Sequence, residues 1–271
     1  MADERLHYDV GGDGPVLLVV PGGAGHPMGL DAMTDVLAER FRVVTYDPLG
    51  LAHGRLGLPV GDQRVRAWSD GAHRVLEEVL AEGESAYVVG TSSGAVAALD
   101  LLARHPRRLR HVVAHEPPCV GVLPDGARQQ AMFREVYDTY RAAGLQAAGA
   151  RLGAGLAGQR AEGPFEGQPL SREEELGLPM AVFLAHVLVP FTSYGPELGA
   201  LDARLTLAAG SDSRGQLLYR TAQFLAERTG SPLVEFPGGH VGAVEHPAAF
   251  AQRLLETLTE GRAATDRPRA S

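Results

Sequence analysis

Hydrophobic and polar positions follow two rhythms over the first 118 residues. Short unbroken apolar or β-branched runs occur at 15–20, 42–47, 87–90 and 111–115. Between them the apolar positions take helical spacing, as in residues 67–82, where Trp68, Ala72, Val75, Leu76 and Val79 fall on one face. Continuous apolar strands joined by amphipathic helices describe an α/β fold, a mostly parallel central sheet flanked by helices, because such strands are buried on both faces. The run 6–10, ended by a glycine-rich turn at 11–14, is the expected edge strand. Helices are expected over 30–40 and 93–105, the second stopped by Pro106.

The rhythm breaks at Cys119. Residues 119–201 are rich in Ala and Gly, with helices expected over 127–143, 171–177 and 178–189 and no convincing strand. Strand signals return at 205–209 and 233–236, followed by helices over 215–229 and 247–260. The pattern therefore predicts a core of residues 1–118 and 202–260, with a helical cap, 119–201, inserted between the two strands preceding the last strand. A structureless loop of that length is implausible in a folded domain. An insertion at the C-terminal end of a parallel strand lands over the ligand edge of the sheet, as a lid. Residues 261–271 mix small, charged and Pro residues and are expected to form a disordered tail.

Composition narrows the chemistry. The 271-residue chain has a net charge of -8 with both signs interspersed, and no basic face suited to nucleic acid. It contains no Lys, Ile or Asn, so Schiff-base lysines and the phosphate-loop lysine are excluded. The three missing residues use AT-rich codons, which points to a GC-rich bacterial genome. Cys119 is the single cysteine and has no intramolecular disulfide partner. The first residues are acidic and lack an apolar leader, and the longest apolar stretch, 180–191, is too short to span a membrane and contains His186 and Pro190. The expectation is a cytoplasmic protein that partners neither membrane nor nucleic acid.

The most informative segment is Gly90-Thr91-Ser92-Ser93-Gly94, a G-x-S-x-G motif between a strand and a helix. In that setting a sharp turn lifts the serine hydroxyl above the sheet, and small residues must flank it. The helix N-terminus offers the Ser93 amide to a developing oxyanion. A serine nucleophile needs a base and a group to orient it. His240, in a glycine-rich loop between the last strand and the last helix, suits the base; Asp212, after the penultimate strand, suits the orienting acid. His111 and His115 lie four apart on a strand, which provides no helical metal-binding face, and His246 reads as structural.

From residue 6 to residue 260 the chain resembles the α/β-hydrolase family, on three motifs: the elbow at Ser92, the turn Pro21-Gly22-Gly23-Ala24-Gly25, and the Gly238-Gly239-His240 loop. The resemblance implies Ser92 as nucleophile, His240 as base and Asp212 as acid. It also implies an oxyanion hole from the amides of Gly23 and Ser93, with Ala24 a near alternative to Gly23, although Pro21 stands where the family commonly has His. Some members carry the acid after the preceding strand, which makes Glu116 the alternative to Asp212. Cap residues including Met132, Phe133, Tyr137, Tyr140 and Phe191 offer the makings of an apolar pocket, although most of them are expected to pack the cap helices onto one another, and Ala24, His26, Met180, Phe183, His186 and Tyr194 are the substrate-binding candidates.

The implied activity is hydrolysis of an ester or thioester through an acyl-enzyme, on a small-molecule acyl substrate and without metal or cofactor. The alternative is an acyltransferase of a bacterial natural-product pathway, taking its acyl group from a carrier protein or another thioester. A binding protein without catalysis is a third reading.

Overall fold

A computed structural model describes residues 6–25, 29–51, 60–159 and 167–265. Seven strands form one sheet in the order β1-β3-β2-β4-β5-β6-β7: β1 (Tyr8–Gly11), β2 (Val16–Val20), β3 (Arg42–Tyr46), β4 (Ala86–Thr91), β5 (Leu109–His115), β6 (Leu205–Gly210) and β7 (Leu233–Phe236). Only the edge strand β1 runs antiparallel to its neighbour β3; the other pairings are parallel. Every residue of β2 is buried, as expected of a strand covered on both faces.

Period-two alternation splits the core into two layers. Val16, Leu18 and Val20 of β2 pack with Val88, Val112 and Leu207 against α2 (Val65–Val79) and α3 (Ser93–Arg104). Leu17 and Val19 point the other way, joining Val89 and Val113 beneath α1 (Asp31–Ala38), the short α9 (Gly242–Glu245) and α10 (Pro247–Thr265). Ten consecutive residues of α3, 93 to 102, are buried. Its one buried carboxylate, Asp100, is satisfied by the hydroxyls of Ser69 and Tyr194 and by Arg104 at 3.0 Å. No helix among the described residues is long and apolar enough to cross a membrane.

The insertion is helical and contains no strand among its described residues. It comprises α4 (Gly126–Leu156), α5 (Arg172–Gly177), α6 (Pro179–Val182), a π-helical turn (Phe183–Val187) and α7 (Leu188–Thr192). The expected helix end at 143 corresponds to a break, Gly144 with φ 80° and ψ -170°, but a second helical segment continues to Leu156. A Cβ at Gly144 would overlap the Gln168 carbonyl, so glycine is required at the kink. The cap has its own apolar cluster, including Phe133, Val136, Leu184 and Leu188, completed by Leu217 and Leu218 of α8 (Leu217–Thr229). At the C-terminus α10 extends to Thr265, so residues 261–265 are helical where a disordered tail is expected; the rest of that tail lies outside the described residues.

Candidate active site

Ser92 sits between β4 and α3 with φ 52° and ψ -122°, one of two non-glycine residues with positive φ among those described. Such a conformation is strained and persists only where its surroundings hold it. The Ser92 amide donates to the His115 carbonyl at 2.9 Å. The flanking glycines are steric necessities: a Cβ on Gly94 would overlap the carbonyl oxygens of Val20 and Pro21, and one on Gly90 would lie 2.7 Å from the Ala95 Cα.

The other positive-φ residue is Glu116, φ 46°, directly after β5. Its amide donates to the Ala208 carbonyl at 2.9 Å, and its side chain is fully buried. One carboxylate oxygen, Oε1, accepts the Gly210 amide at 2.9 Å; the other, Oε2, lies 2.7 Å from His240 Nδ1. On the opposite edge of the ring, His240 Nε2 is 3.1 Å from Ser92 Oγ. An ionised carboxylate only accepts, so Nδ1 carries the proton and Nε2 is left to accept from the Ser92 hydroxyl. Burial pushes the Glu116 carboxyl upward, but the hydrogen bond and charge of His240, with smaller help from His115 and the Gly210 amide, outweigh it and hold the group below the usual Glu value.

Asp212, the acid expected from the chain order, does not meet His240. It lies exposed in a 3-10 turn, Ser211–Ser213, and its carboxylate accepts the Ser211 hydroxyl at 3.1 Å. Its backbone supports the loop instead: the Asp212 amide donates to the Gly238 carbonyl at 3.0 Å. Gly210 must be glycine here, since a Cβ would come 2.5 Å from the Gly238 oxygen and 2.6 Å from that of Gly239. The carboxylate beside His240 is thus Glu116, the alternative, and not Asp212, because β5 ends beside the His240 ring while the turn after β6 carries the Asp212 side chain into solvent.

Gly22 and Gly23 follow β2 and lie beside the elbow, where a Cβ on Gly22 would be 3.4 Å from the Ser92 Cβ. Ser93 opens α3, so its amide belongs to the first turn, where no intrahelical acceptor exists and the helix dipole is positive. Both faces meet a cavity of about 230 Å³. Its described lining includes Gly22, Gly23, Ala24, Ser92, Ser93 and His240 from the core and Phe133, Leu152, Leu156, Met180, Phe183 and Leu188 from the cap. No Asp, Glu or Arg is among the described lining residues.

Of the substrate-binding candidates, Ala24, Met180 and Phe183 line this cavity. Tyr194 and His186 do not. The Tyr194 hydroxyl turns to Asp100 in the core. His186 is held between Glu175 Oε1 at 3.1 Å and Asp62 Oδ1 at 3.2 Å. His26 lies outside the described residues. Leu152 and Leu156 were not anticipated because they belong to the helical segment beyond Gly144, whose Ala/Gly-rich sequence lacks clear amphipathic spacing. Cys119 is buried and its thiol is pushed up to about 12 by burial, which leaves it unfit as a nucleophile.

Known proteins are similar to this chain over most of its length. A model of the alpha/beta hydrolase family matches residues 16–253. The uncharacterized hydrolase YraK of Bacillus subtilis is 31% identical over 263 residues, which cover 94% of this chain and 92% of that protein. A carboxylesterase structure from the thaumarchaeon Nitrososphaera gargenis has a TM-score of 0.68 at 18% identity, over 96% of each chain. A thermophilic esterase from Thermogutta terrifontis gives a TM-score of 0.67 at 18% identity, covering 95% of this chain and 94% of its own. At such identities the two structures speak to the fold alone. The family match across sheet and cap, with the near full-length similarity to YraK, establishes that this chain belongs to the alpha/beta hydrolase family.

Proposed function

We propose that the protein hydrolyses a carboxylic ester or thioester through a covalent acyl-serine, with Ser92, His240 and Glu116 as its triad. The observation that carries this reading is the continuous relay from Glu116 Oε2 through His240 to Ser92 Oγ, at 2.7 and 3.1 Å. Ser92 Oγ attacks the carbonyl carbon as its proton passes to His240 Nε2, and the negative charge moves to the carbonyl oxygen, facing the amides of Gly23 and Ser93. Collapse breaks the bond to the leaving group, which takes the proton from His240. Water then repeats the sequence with His240 as base, releasing the acid and restoring the serine. Glu116 stabilises the imidazolium formed in both halves and keeps the ring in the required tautomer. The apolar lining supports a substrate whose acyl part is uncharged and hydrophobic. A 150 Å³ apolar cavity accommodates about one benzene ring, so this cavity suits a moderately larger group. The carboxylesterase and esterase of similar fold are consistent with this chemistry.

The test is covalent labelling with a fluorophosphonate together with turnover of p-nitrophenyl esters. The expected result is labelling at Ser92 and hydrolysis, both lost in Ser92→Ala. Turnover that survives Ser92→Ala would refute the mechanism. An acyl-enzyme that persists in water and clears on adding an alcohol or amine would favour acyl transfer over hydrolysis.

A further inference from the structure

One irregular turn of the cap borders the candidate site, and its cause is identifiable. Pro190 lies inside α7 and has no N–H to give the carbonyl four residues earlier, that of His186. That carbonyl accepts the Gln63 amide at 2.9 Å, from the segment leading into α2. The helix widens to match: residues Phe183–Val187 form the π-helical turn, and the Leu188 amide bonds the Phe183 carbonyl. The His186 side chain adds a second tie through Asp62 and Glu175, and Glu175 is itself fixed by Tyr140 at 2.8 Å and Arg141 at 3.0 Å.

Phe183 opens this turn and lies against Gly23. A Cβ on Gly23 would overlap ring carbons Cδ2 and Cε2 of Phe183 and come 3.1 Å from Ser93 Oγ. Among the described partly buried residues, Phe183 alone packs against both the cluster under α2 and α3 and the cluster of the cap. A ring held from two sides therefore stands beside Gly23, one of the two residues assigned to the oxyanion.

We propose that Phe183 determines specificity at this site: fixed over Gly23 by the π turn, its ring limits branching on the carbon next to the reacting carbonyl. This rests on the serine-ester reading above. The carbonyl oxygen has to enter between the Gly23 and Ser93 amides, so substituents on the adjacent carbon are carried towards whatever covers Gly23. Phe183 occupies that space, and a ring packed on both sides cannot yield to an added methyl without displacing its neighbours.

The experiment compares p-nitrophenyl acetate with p-nitrophenyl 2,2-dimethylpropanoate in the parent, Phe183→Ala and Phe183→Leu. The ratio of kcat/KM for the branched ester, whose acyl group carries three more methyl groups, to that for acetate should rise about tenfold or more in Phe183→Ala and by a smaller factor in Phe183→Leu, since a single methylene in a tight pocket already commands about tenfold or more. Circular dichroism and fluorophosphonate labelling identify variants that are folded with an intact elbow. Should the alanine variant not fold, the better-packed leucine variant decides. Folded, labelled variants with the parent's ratio would overturn the assignment of Phe183. A parent protein that is neither labelled at Ser92 nor active on acetate would instead overturn the serine-ester reading, and this inference with it.

Discussion

Two strained residues define the site: Ser92 at the end of β4 and Glu116 at the end of the adjacent strand β5. Each adopts positive φ, and the two turns are joined where the Ser92 amide bonds the carbonyl of His115, the residue before Glu116. The sequence displayed both positions and favoured Asp212, whereas the geometry brings Glu116 to His240; the two were hard to separate because each follows a strand of the same sheet edge. What separates them is side-chain direction, set by backbone torsions and the position of the His240 loop. The consequence is measurable. Glu116→Gln should lower kcat on an ester such as p-nitrophenyl acetate by about 10³–10⁴-fold, since an amide cannot hold the imidazole in the correct tautomer or stabilise its cation. Asp212→Asn should change it by no more than about twofold, as a surface substitution that leaves the relay intact. The reverse ranking would restore Asp212 as the acid.

Element-scale behaviour turns on where the chain has no room. The elbow works because α3 approaches β2 so closely that Gly94 rests on the carbonyls of Val20 and Pro21. Backbone atoms in a buried parallel sheet cannot withdraw as a flexible side chain can. Gly94→Ala is therefore expected to destabilise the fold by at least about 1–3 kcal/mol, the usual range for overpacking, and to abolish Ser92 labelling. Urea denaturation and fluorophosphonate labelling check the two parts; a variant with parental stability and labelling would contradict the close approach. The G-x-S-x-G spacing announced this element. The π turn was less legible: Pro190 was visible, but its effect depends on the Gln63 amide being available to the carbonyl it frees. The helix past Gly144 was missed for a related reason, since its Ala and Gly residues gain their helical state from packing in the cap rather than from their own pattern.

Across the whole molecule, the buried histidines make stability depend on pH. His115 is fully buried against Phe236 and Phe250, and burial lowers it to about 4; burial also lowers His111, bonded to Thr206, to about 4. An unfolded chain protonates these rings near the ordinary value of 6.5, so between that pH and 4 it binds more protons than the folded protein. Stability is therefore expected to fall as pH drops through this window, by up to about 1 kcal/mol per pH unit for each shifted ring. Glu116, whose carboxyl is held below its ordinary value, adds a loss that begins as the pH falls through the usual Glu range. Urea denaturation at pH 5, 6 and 7 should show the slope, and His115→Leu should remove about one ring's share; an unchanged slope in that variant would refute His115 as a source. By itself the sequence determined the α/β architecture, the place of the helical insertion between β5 and β6, and the candidate serine and histidine, which the structure brings together, because strand burial, helical spacing and the glycines of tight turns are local constraints. Tertiary structure decided which carboxylate reaches His240, that His186 and Tyr194 serve packing rather than the cavity, and that Phe183 covers Gly23. Those outcomes depend on the directions of side chains brought together from distant segments, which only the packed sheet and cap fix.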